Sequence, residues 1–540
     1  MVSSVELLRQ GRRDEFWQRH CGFFDLTVDE FMAVQERLLI EQLQLLAGSE
    51  LGRKIVGGEV PRTLKEFRRV APLTTYHHYV PYLAEQREDV LPVKPVCWMR
   101  TSGRTGEFRG KWVPVSPEFY KRLGTTLVST LTLAGASRKG EVIIEEEARL
   151  LYVSAPPPYI TGTTMRALDD VFPVRFIPPV GEAEKLSFQE RVQKGFAESM
   201  GTGLDYFAGI ASILMRIGEA FTHGARQMKL SPALLQPAIL SRLMTAFLKS
   251  KLEGRGLLPK DIWHPKGIVA SGMDVGLYRE PIRKLWGHTP LEVYACTEFG
   301  GIGIQAWGAR KPGLTLFPDS AYWEFMPEEE YALWHADQAY HPRTLLLNEL
   351  QPGRYVLVGT SLSGGAFIRY VVGDLIRVLA LKDEELGINL PQIVMESRAD
   401  DTINLGSMVV LTERSIWEAI GHADLKLFDW VARKENDSAS HRPFIAIYAE
   451  LDTADPTQLA NPLHEALIES NEDYASFYDI MRTNPVRVKR LTPGTLLAYM
   501  EEKQAEGADP GHLKPPRLQP PPEVLNRLLA TSARLVRNGK

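Results

Sequence analysis

From about residue 90 to residue 395 the sequence alternates short β-branched and aromatic runs with stretches whose apolar residues recur at helical spacing. That alternation confines the chain to an α/β architecture with mixed sheets. "RLLYVSAPPPYITG" reads as a strand running into a proline-punctuated loop, and "LEVYACTEFGG" as a buried strand ending in a turn. "GRYVLVGTSLSGGAFIRYVVGDLIRVL" reads as a hairpin with "SGG" between its strands, and "YFAGIASILMRIGEAF" as an apolar helix. Upstream, "VDEFMAVQERLLIEQLQLLAGSELG" is a long amphipathic helix that ends in glycine. The charged "MESRADD" then breaks the apolar rhythm, as linkers do. The expected organisation is a large domain over residues 1–397, a hinge over 398–402, and a small C-terminal α+β domain over 403–540.

Composition narrows the partners. At 540 residues the chain exceeds one ordinary domain, and a net charge of -4 gives no basic field for nucleic acid. Cys21, Cys97 and Cys296 are scattered without metal-ligand spacing, which suits a reducing cytoplasm. "MVSSVELLRQGRRDEFW" lacks the apolar core of a signal peptide, and no run approaches the roughly 18 apolar residues of a membrane span. A cytoplasmic monomer without nucleic-acid or membrane partners is expected.

The chemistry concentrates in four segments. "MRTSGRTGEFRGKWVPV" packs hydroxyls, glycines and cations into one loop, the means by which backbone N–H groups and side chains hold phosphate. It is not a Walker loop: Gly106 and Gly110 stand one residue too close, and Trp112 follows Lys111. "YACTEFG" ends a strand with an aromatic ring, a hydroxyl and a carboxylate, which suit adenine stacking, an α-phosphate contact and Mg²⁺ respectively. "RYVVGDLIRV" offers Asp374 to ribose hydroxyls, and "SRADDTINLG" supplies Arg398 beside the hinge. Each alone also reads as an ordinary turn or linker.

In this order the four segments resemble the adenylate-forming superfamily. Within it the chain is similar to the auxin-responsive (Gretchen Hagen) family of acyl-acid amido synthetases. The narrower resemblance is carried by "LLAGSELGRKIVGGEVPRTLKEFRRVAPLTTYHHYVPYL", "GLDYFAGIASILMRIGEAF", "GMDVGLYREPIRKLWG" and "LTPGTLLAYMEEKQAEGADPGHLKPPRL", which together span nearly the whole chain. It implies a large adenylate-forming domain with mixed sheets and a β-barrel-like part, and a small mobile C-terminal lid. The implied reaction uses ATP and Mg²⁺ to make an acyl-adenylate from a carboxylic acid, then transfers the acyl group to an amino acid or amine.

The resemblance also implies roles for particular residues. Thr101, Ser102, Gly103, Thr105 and Gly106 would hold the triphosphate; Arg104 departs from the family's usual small hydroxyl residue and either adds a phosphate contact, which guanidinium suits, or blocks the loop. Tyr294 would lie against adenine, Thr297 near the α-phosphate and Glu298 on Mg²⁺. Asp374 would bind the ribose, Arg398 the ribose or phosphate, and Lys514 would be the mobile cation of the lid. Pocket walls for the acid are expected around Tyr120 to Leu133 and Tyr206 to Leu214. Cys296 is expected to be a buried thiol, "EEEAR" a solvated turn, and His77, His78 and His264 ordinary histidines. Asn404 stands where thioester-forming relatives often carry lysine. An acyl-coenzyme A ligase is the alternative within the superfamily, and an inactive nucleotide- or acyl-binding protein the alternative outside enzymes.

Overall fold

The computed structural model describes residues 2–538 apart from 102–109, 225–236, 273–274, 310, 400–401, 406–409, 426, 438–442, 453–454, 472–473, 476–477, 479–482 and 507–516. The chain forms two compact units, Met1–Val372 with Ile376–Met395, and Gly373–Leu375 with Glu396–Lys540.

The larger unit is built on an eleven-stranded sheet. Its order is Ala321–Pro327, Gly353–Ser361, Tyr370–Ala380, Gln392–Arg398, Leu314–Leu316, Gly300–Gln305, Leu291–Cys296, Gly267–Ser271, Tyr206–Ile210, Ala148–Leu151 and Val174–Ile177. The last five run parallel, in the doubly wound order 2-1-3-4-5 counted along the chain. Helices Ile160–Val171, Phe188–Thr202, Ala211–Gly224 and Val275–Trp286 lie in the crossovers between them. At Leu291–Cys296 the pairing changes: the next strand, Gly300–Gln305, returns antiparallel after a three-residue turn. The antiparallel half is continuous with the parallel half, and among the described residues no separate barrel sheet is present.

Helix Val28–Gly48 begins where expected, because the Thr27 hydroxyl and the Glu30 carboxylate cap each other's backbone. Leu39, Leu43 and Leu46 pack against Tyr322, Leu362 and Ile368. Two buried glutamines of this helix are satisfied by a sheet strand and by the hairpin loop between Ser361 and Tyr370. Gln35 donates to Ala321 O at 2.5 Å, while Gln42 donates to Gly365 O at 2.8 Å and accepts from Gly364 N at 2.7 Å.

Two local expectations are corrected. "YFAGIASILMRIGEAF" is strand Tyr206–Ile210 followed by helix Ala211–Gly224. A short apolar run fits either state, and its two parallel neighbours decide for the strand. "EEEAR" is a turn only at its start. Glu145 and Glu146 reach Lys266 and Arg9, and Arg149 lies in strand Ala148–Leu151, paired with Asp205 at 2.7 Å.

The smaller unit is an α+β layer structure. Strand Trp430–Asn436 pairs antiparallel with Pro443–Glu450, which pairs parallel with Val486–Leu491. The central strand alternates strictly: Ile445, Ile447 and Ala449 join the core with helices Glu413–His422 and Ala460–Ser470. Phe444, Ala446 and Tyr448 face the core with helices Thr495–Ala505 and Pro522–Asn538. The closing basic helix is thus part of this unit, tied further by Arg534–Glu502 and Arg527–Glu506 ion pairs.

One buried ion pair anchors the hairpin of the larger unit. Arg369, at φ +41°, donates Nε to Glu324 Oε2 at 2.8 Å and Nη2 to Glu324 Oε1 at 3.0 Å. Nη1 donates to Arg68 O at 3.1 Å and Ala71 O at 2.8 Å. Burial alone would push the Glu324 carboxyl up, but Arg369, the Thr344 hydroxyl and Arg68 together hold it below the usual range. The contribution of the pair is therefore complete above the ordinary carboxylate range and is lost as pH falls. Glu324→Ala leaves Arg369 without its carboxylate, and denaturant unfolding is expected to show a loss of about 3–5 kcal/mol. A loss below about 1 kcal/mol would show that water or another group replaces the pair.

Candidate active site

Strands Cys97–Arg100 and Trp112–Val115 pair antiparallel, with Arg100 opposite Trp112. Thr101 and Lys111 extend this ladder by one rung at the base of the phosphate-type loop. Thr101 N donates to Lys111 O at 3.0 Å, and Lys111 N donates to Thr101 Oγ1 at 3.0 Å. Gly110 has φ +145°, and a Cβ there would meet Arg100 Nε at 2.4 Å, so the neck of the loop needs glycine. Ser102, Gly103, Arg104, Thr105 and Gly106 lie outside the described residues, as does Lys514.

From this base a polar chain leads to the strand-end carboxylate. Lys111 Nζ donates to Tyr370 Oη at 3.3 Å, and Tyr370 Oη donates to Glu298 Oε1 at 3.3 Å. The Tyr76 ring lies beneath the ammonium, 5.5 Å from Nζ. Its hydroxyl both donates to Trp112 O at 3.1 Å and accepts from Trp112 N at 2.7 Å. Burial, reinforced by the charge of Glu298, pushes the Tyr76 phenol up to about 12, so it stays neutral at physiological pH.

Glu298 occupies the turn after strand Leu291–Cys296, the last parallel strand of the sheet. Gly300, at φ +74°, closes that turn, and a Cβ there would meet Leu123 Cδ2 at 2.8 Å. The turn therefore rests directly on helix Pro117–Gly135. Arg122 of that helix donates Nη2 to Phe299 O at 3.0 Å and lies over the Phe119 ring. Its Nε is buried without a hydrogen-bond partner, and burial lowers its pKa. Tyr294 and Thr297 are both largely buried, at 6% and 7% exposure. Cys296 is half-buried rather than buried, packing against the edge of the main core at the end of its strand. His77, His78 and His264 are exposed.

Asp374 and Arg398 form a second group, within the smaller unit. Arg398 Nη1 donates to Asp374 Oδ1 at 2.9 Å, with the carboxylate 4% exposed. Gly373, at φ +77°, makes room for the pair: a Cβ there would stand 3.1 Å from Arg398 Nη2. Its carbonyl accepts from Ala399 N at 2.8 Å. Thus Thr101, Lys111, Tyr370 and Glu298 are brought together in one unit, and Asp374 and Arg398 in the other. Sequence reasoning noted Lys111 only as part of a loop and missed Tyr370 and Arg122.

Comparison with known proteins identifies the family. The GH3 family N-terminal domain matches residues 21–157, its central domain residues 314–396, and its C-terminal domain residues 412–523. The chain belongs to the GH3 family. Its fold is similar to that of AtGH3.15 acyl acid amido synthetase in complex with 2,4-DB, with a TM-score of 0.67 at 18% identity over 94% of both chains. It is also similar to a 2-hydroxyisobutyryl-CoA ligase in the postadenylation state with R3-HIB-AMP, with a TM-score of 0.58 at 14% identity. That alignment covers 94% of this chain and 92% of the other. No curated protein matches the sequence. No helix among the described residues is long and apolar enough to cross a membrane.

The donor set fits the Mg²⁺ that the sequence resemblance implies in one way only. Among the described residues no three His, Cys, Asp or Glu side chains gather to hold a metal unaided. A single carboxylate, Glu298, suits a Mg²⁺ whose other ligands are phosphate oxygens and waters. For the second group the expectation concerns backbone. Gly373→Ala forces a side chain into positive φ and against Arg398, and is expected to destabilise the protein by about 1 kcal/mol or more. An unchanged denaturation midpoint would show that the turn relaxes freely.

Proposed function

We propose that this GH3 protein is an ATP-dependent acyl-acid amido synthetase. It adenylates a carboxylic acid, releases pyrophosphate, and passes the acyl group to an amino acid or small amine. The observation that carries the reading is the chain from Thr101 and Lys111, at the base of the phosphate-type loop, through Tyr370 to Glu298. It joins a cation meant for phosphate to a carboxylate meant for its counter-ion, at the carboxyl end of the last parallel strand.

The roles follow from charge. A carboxylate attacking a triphosphate brings two anions together, so the site must neutralise both and align them. Thr101, Ser102, Gly103, Arg104, Thr105 and Gly106 hold the triphosphate, Thr297 lies near the α-phosphate, and Tyr294 borders the adenine. Glu298 would hold Mg²⁺, which would supply positive charge for the leaving pyrophosphate. The acid needs no base, since a carboxyl group with a pKa of about 4 is already ionised. Its oxygen attacks the α-phosphorus, and the bond to pyrophosphate breaks. Asp374 binds the ribose, which requires Arg398 to share it or move to the phosphate. Segment 398–402 is the hinge, and Lys514 supplies a cation in the adenylation step. The acid occupies the region walled by Tyr120 to Leu133 and Tyr206 to Leu214. In the second step the amine nitrogen attacks the acyl carbon, AMP departs, and the amine proton is lost. The three cysteines, scattered along the sequence, suit action in a reducing cytoplasm.

A second reading, thioester formation with coenzyme A, is favoured by the fold likeness to an acyl-CoA ligase and opposed by Asn404. Pyrophosphate release across a panel of carboxylic acids, with mixed amino acids, coenzyme A or neither, separates them. An amide product supports the synthetase and a thioester the second reading; no release with any acid, while ATP still binds, points to an inactive binding protein.

Two substitutions test the roles. Lys514→Ala is expected to lower adenylation by on the order of 10²–10³ while ATP still binds; unchanged adenylation removes Lys514 from the mechanism. Asp374→Ala is expected to weaken ATP binding by about 1.5–3 kcal/mol in a calorimetric titration. Unaltered affinity would show that the ribose is held elsewhere.

A further inference from the structure

We propose that Tyr370 is a positioning residue, a spacer that holds the Lys111 ammonium and the Glu298 carboxylate apart so that neither neutralises the other. The inference rests on the reading of Glu298 as the Mg²⁺ carboxylate. It begins with proton direction. An ammonium has only donors and a carboxylate only acceptors, so the hydroxyl between them must accept from Lys111 and donate to Glu298. Within this chain the Tyr370 proton therefore points at Oε1. The two steps reinforce each other, because each polarises the shared hydroxyl.

The spacer can work only if its hydroxyl stays in place, and the structure fixes it from both ends. The ring is 2% exposed and packs against Phe367 at 4.7 Å between centroids, with Tyr79 and Phe299 at 6.2 and 6.3 Å. The backbone on either side is bonded to Thr74: Thr74 N donates to Arg369 O at 3.0 Å, and Val371 N donates to Thr74 O at 2.9 Å. The preceding Arg369 is locked onto Glu324. Such a tyrosine presents a fixed hydroxyl on a rigid stem.

Lysine, by contrast, ends a flexible four-carbon chain. Two hydrogen-bond lengths separate its ammonium from Glu298, and without the intervening hydroxyl a direct ion pair becomes accessible. That pair would compete with the metal for the carboxylate and with phosphate for the cation. Tyr370 thus keeps two opposite charges near each other but not paired with one another until nucleotide and metal arrive together.

The test reads metal binding rather than turnover. Full-length protein saturated with α,β-methylene-ATP is titrated with Mn²⁺, and the free ion is followed by electron paramagnetic resonance. Tyr370→Phe keeps the ring cage, which an unchanged thermal midpoint verifies, and is expected to weaken Mn²⁺ binding about tenfold. Adding Lys111→Met to that variant is expected to recover most of the loss, because methionine cannot pair with the carboxylate. A merely structural tyrosine would give no such recovery. Wild-type Mn²⁺ affinity in Tyr370→Phe, or no recovery in the double variant, overturns the spacer. Glu298→Gln separates the two levels: if it binds Mn²⁺ as tightly as wild type, the metal reading of Glu298 falls and the spacer with it. If Glu298→Gln weakens Mn²⁺ binding while Tyr370→Phe does not, only the spacer falls.

Discussion

The bidentate pair between Arg369 and Glu324 sets the geometry on which the larger unit depends. Its carboxylate comes from the sheet strand Ala321–Pro327, and its guanidinium from the residue just before strand Tyr370–Ala380. The remaining donors reach the carbonyls of Arg68 and Ala71, so three distant parts of the chain meet at one cation. A buried pair of this kind need not be more stable than a well-packed apolar cluster of the same volume. What it does supply is direction. A guanidinium is satisfied in few orientations, and here that fixes a residue at positive φ immediately before Tyr370.

That fixed point explains how a rigid sheet delivers chemistry at a turn. The pairing of Leu291–Cys296 with an antiparallel neighbour, after four parallel ones, ends the doubly wound half at Thr297 to Phe299. Gly300 lets helix Pro117–Gly135 approach the turn more closely than any side chain would allow. The turn is then held from the helix side by Arg122 on Phe299 O and from the hairpin side by Tyr370 on Glu298. The loop base reaches the same hydroxyl through Lys111. Three elements from separate parts of the sequence thus converge on one carboxylate.

Much of this was legible in the residues, and the limits were physical. Helix Val28–Gly48 was legible because apolar residues at helical spacing are a local pattern, and strand Leu291–Cys296 because a β-rich run stopped by a turn is one too. Strand Tyr206–Ile210 was hidden because a five-residue apolar run has no period of its own; the parallel neighbours that make it a strand lie elsewhere in the chain. The same division governs the site. Thr101, Thr297 and Glu298 stand in motifs whose residue types suggest their chemistry. Tyr370 was passed over because its partner Glu298 is 72 residues away, and Arg122 because Phe299 is 177 away. No local pattern marks a tyrosine as the neighbour of a carboxylate. The step from "RYVVGD" to a positioned hydroxyl needs the fold.

The smaller unit uses the same device, which suggests what it is for. Arg517 is buried, pairs with Asp429 and Glu413, and lies over the Trp417 and Trp430 rings at 4.8 and 5.6 Å. Its carbonyl accepts from Ala432 N at 2.6 Å, so the chain here becomes an added rung beside the sheet. In both units an arginine spends its donors on groups far apart in sequence and leaves the adjoining chain in one register. Lysine cannot substitute at either place, since a point charge with three donors reproduces neither the fork on Glu324 nor the stacking on two indoles. The constraint is therefore on shape rather than on charge. Substitutions that keep the charge at Arg369 or Arg517 should disturb the register of their chains nearly as much as those that remove it.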